Sequence, residues 1–128
     1  MKNKKVLIVE DEKDILEIYN ERFSLEGMQV TEAISGIEGI ASLKKQVPDI
    51  ILLDIRMPEM NGFEFLKEIK KDKKYRDIPV LLLTNLGEQK IDMDKDLAFA
   101  LGIKGYLIKA KNTPDQVLDK VKEILNIK

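Results

Sequence analysis

The 128-residue chain is long enough for one self-sufficient domain, and its 44% hydrophobic and 35% charged residues are typical of a globular protein. Its formal net charge of −1 gives no electrostatic indication of binding to nucleic acid or to an anionic membrane. Histidine and cysteine are both absent, which excludes histidine-dependent catalysis, thiolate chemistry and disulfides, and restricts any metal site to oxygen ligands. No segment has the pattern of a membrane span or a signal peptide, so the expected location is cytoplasmic.

Five short apolar runs alternate with segments of helical periodicity, a pattern that predicts five βα units. The runs that predict strands are Val6–Val9, Met28–Ala33, Ile50–Leu53, Pro79–Leu83 and Gly105–Ile108. Because no linker or change of composition interrupts the pattern, we expect one doubly wound α/β domain that spans residues 1–128.

The first two helices are predicted from an apolar stripe and from signals at their ends. The stripe of the first helix comprises Ile15, Ile18, Tyr19 and Phe23, and Gly27 is placed to end that helix. Ser35 and Glu38 have the spacing of a capping box at the start of the second helix. Gly39 lies inside that helix and costs roughly 1 kcal/mol relative to alanine, so this helix is predicted to be the least stable.

The remaining three helices follow the same reasoning. The apolar stripes of the third and fourth comprise Phe63, Leu66 and Ile69, and Met93, Leu97 and Leu101, with Gly102 ending the fourth. The fifth helix begins at Thr113, with Pro114 at the first helical position and Gln116 completing a capping box. Its predicted buried face comprises Val117, Val121 and either Ile124 or Leu125.

Polar or charged residues follow four of the five predicted strands. Glu10 and Asp11 follow the first strand, Asp54 the third, Thr84 the fourth and Lys109 the fifth. The carboxyl ends of parallel strands meet at one edge of the sheet, where open α/β folds bind their ligands. Three carboxylates at this edge repel each other and require a cation. With a hydroxyl and an ammonium group beside them, they match the requirements of phosphoryl transfer.

These motifs, in this order and at these spacings, resemble the receiver domain of bacterial two-component response regulators over essentially the whole chain. The matching segments are Val9-Glu10-Asp11, Asp54 with Met57-Pro58 and Asn61-Gly62, Leu83-Thr84, and Gly105-Tyr106-Leu107-Ile108-Lys109. The resemblance implies a flavodoxin-like three-layer sandwich whose five-stranded parallel sheet has the order 2-1-3-4-5. It also implies a chemotaxis-regulator-like signalling module, not an enzyme, with at most slow self-phosphorylation from small donors and slow self-dephosphorylation.

The resemblance further implies an acceptor and a metal site. Asp54 would accept a phosphoryl group from a histidine on a sensor kinase or a histidine phosphotransfer protein. Glu10, Asp11 and Asp54, together with the backbone carbonyl of Arg56, would bind Mg²⁺, which prefers carboxylate and carbonyl oxygens.

The resemblance also implies how the signal leaves the site. Lys109 would pair with one phosphoryl oxygen, Thr84 would hydrogen-bond another, and Tyr106 would turn inward in response. Because no output domain follows the fifth helix, the expected signal is a change in the surface formed by Lys90–Leu101, Lys104–Tyr106 and Thr113–Ile124. We expect a monomer or a weak phosphorylation-dependent dimer, an unknown downstream protein partner, and no direct binding to nucleic acid or membrane.

The chain departs from the family pattern at a few positions. Lys109 is followed by Ala110, where the family usually has a proline preceded by a cis peptide bond. A cis bond without proline costs ~3 kcal/mol, so the reach of Lys109 depends on whether this bond is strained or trans. Asn85 replaces a small residue and is expected to narrow access to Asp54, and Arg56 and Leu86 are at positions that modulate dephosphorylation in the family.

Three alternative functions remain open on the sequence. A haloacid dehalogenase-type phosphohydrolase has Asp-x-Asp at its nucleophile, whereas Asp54 is followed by Ile55-Arg56 and no cap domain is present. A flavodoxin-like nucleotide binder needs a neutral or glycine-rich loop where this chain has Glu10-Asp11-Glu12. A receiver that serves only as a docking module would not need the acids, Thr84 and Lys109.

Overall fold

The computed structural model describes residues 3–54, 62–84 and 103–126, apart from the side chains of Phe63 and Thr84. One parallel sheet contains the strands β1 (Lys5–Val9), β2 (Gln29–Ala33), β3 (Ile50–Leu53), β4 (Val80–Thr84) and β5 (Gly105–Ile108). Their order across the sheet is β2-β1-β3-β4-β5, as the resemblance implied. The predicted strand bounds are confirmed to within one residue.

Helices cover both faces of this sheet. Those in the described ranges are α1 (Lys13–Leu25), α2 (Gly36–Lys45), α3 (Gly62–Lys70) and α4 (Pro114–Ile124), with a short 3₁₀ helix at Lys109–Lys111. None of them is long and apolar enough to cross a membrane. The predicted helix with the stripe Met93, Leu97 and Leu101 lies outside the described residues.

The central strands of the sheet, β1, β3 and β4, are buried on both faces because helices cover both sides and successive strand residues point to opposite sides. In β1, Leu7 and Val9 pack into a core cluster with α2 and α3, whereas Val6 and Ile8 pack into a second cluster with α1 and α4. All four residues of β3 are buried, which explains why its sequence is a continuous apolar run. The centre of the sheet is therefore a rigid, dry support for the residues that follow its strands.

The buried face of α1 differs by one residue from the sequence prediction. Leu16, Tyr19 and Phe23 are buried, whereas Ile18 is 50% exposed. The prediction for Ile18 was wrong because the helix turns it away from the sheet, where Leu16 takes its place. The predicted end of the helix is confirmed: Gly27 has a φ of 87°, a left-handed conformation that favours glycine.

The two predicted capping boxes have different outcomes. The Ser35 hydroxyl accepts a hydrogen bond from the Glu38 N–H at 3.1 Å, but the Glu38 carboxylate accepts from the Ile34 N–H instead of that of Ser35. In α4 both reciprocal bonds are present between Thr113 and Gln116, at 3.2 and 2.8 Å. The start of α4 is thus fully capped, as predicted.

Gly39 allows α2 to approach α3 and β1 closely. A Cβ atom added at this position would lie 2.7 Å from Cε2 of Phe65 and 3.2 Å from Cγ2 of Val9. The Phe65 ring is fully buried and has little freedom to move. The glycine that seemed to weaken the helix in the sequence therefore makes room for a core aromatic residue.

We expect Gly39→Ala to destabilise the protein by about 1–2 kcal/mol, because overpacking against Phe65 outweighs the helix propensity gained. Urea denaturation gives the free energy of unfolding. In a Phe65→Leu background the same substitution should cost less, which makes the double-mutant cycle the control. A Gly39→Ala variant more stable than the parent would contradict the close approach.

Candidate functional site

Glu10, Asp54 and Lys109 meet at the carboxyl edge of the sheet because each directly follows a strand. The backbone continues the ladder past the strand ends: the Asp54 N–H donates to the Val9 carbonyl at 3.0 Å, and the Glu10 N–H donates to the Ala33 carbonyl at 2.9 Å. These bonds fix the two acidic residues in adjacent positions whatever conformation their side chains adopt. The structure thus brings together three of the residues predicted from the sequence.

The side chains of these three residues form a buried charged cluster. Glu10 and Asp54 are only 3% and 4% exposed, and the side chain of Lys109 is 6% exposed. Lys109 Nζ contacts Glu10 Oε1 and lies 3.2 Å from Asp54 Oδ2. Removing charges from water is costly unless they are paired, so both carboxylates depend on Lys109 and Lys109 depends on them.

The three charges do not balance, and the pKa values show the consequence. Burial, opposed by the hydrogen bond from Lys109 and reinforced by the negative charge of Asp54, raises the pKa of Glu10 from its ordinary 4.5 to about 7. Burial alone would lower the pKa of Lys109, but its interactions with the two carboxylates outweigh burial and raise that pKa. The cluster therefore keeps its ammonium charged and favours a proton, or another cation, beside the acids.

Asp11 and Glu12 extend the acidic cluster towards solvent. One carboxylate oxygen from each of Glu10, Asp11 and Glu12 lies within 4.8 Å of the others, a spacing at which they could share a metal ion. The second oxygen of Glu10 accepts the Glu12 N–H at 3.1 Å, and the Glu12 side chain makes no capping bond to α1. All available donors are oxygens, which fits Mg²⁺. Glu12 was not among the ligands that the resemblance implied.

Tyr19 of α1 lies under the charged cluster, a role that its place in an apolar stripe did not predict. Its side chain lines a cavity of about 10 Å³ together with Glu10 and Asp54. Burial raises the pKa of the Tyr19 phenol, with a lowering influence from Lys109 and a raising influence from Glu10. The Tyr19 side chain is therefore next to the cluster, and its hydroxyl is within electrostatic reach of two of the charged groups.

Lys109 reaches the acids without a cis peptide bond. The described residues contain none, so the bond between Lys109 and Ala110 is trans. The chain turns instead through the 3₁₀ helix Lys109–Lys111, and the Asn112 side chain donates to the Ile108 carbonyl at 2.9 Å. The replacement of proline by alanine thus leaves the lysine in contact with both carboxylates.

The other predicted site residues are placed less completely. Thr84 is the last residue of β4 and is in register with Ile108, so its backbone lies at the same edge as Lys109. Tyr106 is partly buried against the core cluster on the α3 side of the sheet. Arg56, Asn85 and Leu86 lie outside the described ranges, as do Met57, Pro58 and Asn61 of the family motifs and the segment 90–101 of the predicted output surface.

The raised pKa of Glu10 predicts how the stability of the chelated protein depends on pH. The folded state holds a proton that the unfolded state releases, so the stabilising contribution is present below about pH 4.5 and is lost as the pH rises through about 7. The free energy of unfolding should decrease by about 2–3 kcal/mol over this pH range.

Urea denaturation at pH 5 and pH 8 with EDTA, for the parent and Glu10→Gln, measures this contribution. The stability of the parent relative to the variant should decrease between the two pH values, because glutamine does not titrate. A constant difference would show that Glu10 titrates normally.

Comparison with known proteins agrees with this geometry. A family model described as the response regulator receiver domain matches residues 6–122. The response regulator SaeR of Staphylococcus aureus is 38% identical over 120 residues, which cover 94% of this chain and 50% of SaeR. The DNA-binding dual master transcriptional regulator RpaA of a Synechocystis species is 32% identical over 121 residues, covering 94% of this chain and 48% of RpaA. This chain thus spans about half the length of the curated relatives it matches.

A solved structure matches along the whole domain. The chemotaxis protein CheY4 of Vibrio cholerae is 31% identical, with a TM-score of 0.83, and the match covers 95% of this chain and 98% of that one. The family match, the strand order and the acids at the carboxyl edge are mutually consistent. The chain belongs to the family of response regulator receiver domains, the signalling modules of two-component systems.

Proposed function

We propose that this receiver domain accepts a phosphoryl group on Asp54 from a histidine kinase or a histidine phosphotransfer protein. The observation that supports the proposal most directly is the buried contact of Lys109 with Asp54 and Glu10 at the carboxyl edge of the sheet. An ammonium group in this position can neutralise a phosphoryl oxygen without having to move in from solvent. The domain that carries out this function is taken to span residues 1–128.

In the proposed transfer, a carboxylate oxygen of Asp54 attacks the phosphorus atom of the phosphohistidine. The new P–O bond forms as the P–N bond breaks, and the electron pair of that bond stays on the departing imidazole. The product is an acyl phosphate on Asp54. It carries more negative charge than the carboxylate did, so Lys109 gains a stronger partner while it keeps its contact with Glu10.

The proposal includes a divalent cation. Glu10, Asp11 and Asp54, with the backbone carbonyl of Arg56, would hold Mg²⁺, which supplies neutralisation of the phosphoryl charge. Both oxygens of Glu10 already accept hydrogen bonds, from Lys109 and from the Glu12 N–H. Asp11, on the solvent side, is therefore the carboxylate best placed to capture the ion first.

The phosphoryl group would then alter the surface of the domain. Thr84 would hydrogen-bond to it and Tyr106 would turn further inward, changing the face formed by Lys90–Leu101, Lys104–Tyr106 and Thr113–Ile124. That face would bind a downstream protein or a second copy of the domain in a weak dimer. In this scheme the domain works in the cytoplasm as a switch, and its own chemistry is limited to slow phosphorylation from small donors and slow dephosphorylation.

We expect incubation with acetyl phosphate and Mg²⁺ to add the mass of one phosphoryl group, because Asp54 is the nucleophile. Intact-mass spectrometry detects the adduct, which should be absent in EDTA and in Asp54→Asn. Asp77→Asn, which changes an exposed aspartate away from the site, is the matched control and should be phosphorylated like the parent. A mass gain that persists in Asp54→Asn would refute the assignment.

Added Mg²⁺ should raise the melting temperature of the parent by mass action, because only the folded state presents the acidic cluster. Asp11→Asn should reduce the shift strongly, since it removes a ligand while relieving repulsion in the metal-free protein. Glu12→Gln tests whether Glu12 binds the ion, because Glu12 lies in the acidic cluster but is not one of the ligands that the family implies. A smaller rise in melting temperature would show that Glu12 is a ligand. An unchanged rise would show that only the acids implied by the family, Glu10, Asp11 and Asp54, bind the ion. No shift in the parent at millimolar Mg²⁺ would contradict a preformed site.

A further inference from the structure

A cleft of about 580 Å³ lies between the carboxyl end of α2 and the turn that follows α3. Both helices lead into strands at this end, so the cleft is at the amino edge of the sheet, opposite Asp54. Its walls include four lysines, which are Lys44, Lys71, Lys73 and Lys74. The cleft has no part in the proposed phosphoryl transfer.

Positive charge is concentrated around this cleft. Of the 22 lysines and arginines in the chain, eight lie in the two segments 44–45 and 67–76, which contain only two acidic residues, Glu68 and Asp72. The chain as a whole has a formal charge of −1, so the remainder of the protein is clearly acidic. This segregation creates a local positive potential that the net charge conceals.

Helix dipoles explain only part of this concentration. Lysines in the last turns of α2 and α3 compensate the negative helix ends, which accounts for Lys44 but not for residues beyond the helices. Lys71 pairs with Glu68 at 3.2 Å. Within the described ranges, Lys44, Lys73 and Lys74 form no ion pair, although they border one cleft from two different elements. Glu68 and Asp72 also line the cleft, so its four lysines are compensated only in part.

The turn that holds Lys73 and Lys74 is ordered by its own hydrogen bonds. The Asp72 carbonyl accepts the N–H groups of Tyr75 and Arg76, at 3.1 and 3.0 Å. The Asp72 carboxylate accepts the Lys74 N–H at 2.9 Å. The backbone positions of these lysines are therefore fixed before any partner arrives, which lowers the entropic cost of binding an anion.

We infer that this cleft binds an acidic polypeptide segment that carries at least one apolar side chain. Ile40 and Tyr75 line the cleft, are only partly buried and pack onto the core cluster that contains Ile69, so they offer apolar surface for an aliphatic or aromatic anchor. The lysines around them match carboxylates on either side of the anchor. Glu68 and Asp72, also in the cleft, disfavour a closely spaced phosphate backbone.

Amide NMR titration of the parent domain tests the site without a substitution. The probe is a short peptide with a Leu-Phe pair flanked by glutamates and aspartates, at a salt concentration of about 0.1 M so that exposed charges are partly screened. We expect saturable shifts at residues 40–45 and 68–76, and much weaker binding when Leu-Phe is replaced by Ser-Ser. Shifts confined to other surfaces, or equal binding of the Ser-Ser peptide, would overturn the inference.

Paired charge reversals provide the affinity test. Lys73→Glu with Lys74→Glu should weaken peptide binding about tenfold or more, whereas Lys4→Glu with Lys13→Glu, which change the net charge equally at exposed sites outside the cleft, should weaken it less than about twofold. Equal losses of affinity in the two variants would show that binding depends only on net charge, and would overturn the inference.

Two further binding measurements identify the class of ligand and test this inference independently of the proposed function. A single-stranded oligothymidylate that binds the cleft more tightly than the peptide would overturn an acidic polypeptide as the partner. Asp54→Asn should bind the peptide like the parent, because the two sites are at opposite edges of the sheet. Failure of phosphorylation at Asp54 would then leave the cleft unaffected, and failure of peptide binding would leave the phosphorylation test unaffected.

Discussion

The contact of the Lys109 ammonium group with two buried carboxylates is the interaction on which the site depends. Glu10 and Asp54 are adjacent, almost inaccessible to solvent and of like charge, so each would raise the energy of the other if the cation were removed. One ammonium group cannot neutralise both acids. Burial is the main reason that the pKa of Glu10 is raised, and the negative charge of Asp54 adds to it. The negative charge that Lys109 leaves uncompensated also favours a divalent cation beside Asp11, as proposed above.

The parallel sheet supplies the geometry that this interaction requires. Asp54 and Glu10 continue the backbone ladders beyond β3 and β1, so their separation is set by strand spacing and not by flexible loops. The core beneath them consists of fully buried strand residues, and the buried Tyr19 lines a small cavity beside the two acids. The low dielectric constant of this core strengthens both the attractive and the repulsive interactions within the charged cluster.

The sequence was sufficient to predict the strands and the convergence of acids, because both follow from residue patterns that only one architecture satisfies. The sequence was insufficient wherever the environment of a residue depends on contacts with residues distant in the sequence. Ile18 has helical spacing but is turned away from the sheet, and Gly39 had the signature of a weak helix position until Phe65 was placed against it. Glu12 was not among the predicted ligands, since its distance from Glu10 and Asp11 depends on how the chain turns into α1. Similarly, the reach of Lys109 past Ala110 required the backbone itself.

The net charge of the chain, which is read from the sequence, does not show how the charges are distributed over the folded protein. A net charge of −1 gave no indication of binding to nucleic acid or to an anionic membrane, yet the fold places acids at the carboxyl edge of the sheet and a lysine-rich cleft at its amino edge. A segment docked in that cleft would leave the carboxyl edge of the sheet uncovered, so the two sites need not compete for space. If a phosphodonor carried such a segment, its histidine would encounter Asp54 at an effective concentration set by the linker, independently of the contacts made around the acceptor. Segregating the two charges at opposite edges would thus let one small domain separate the choice of partner from the chemistry performed with it.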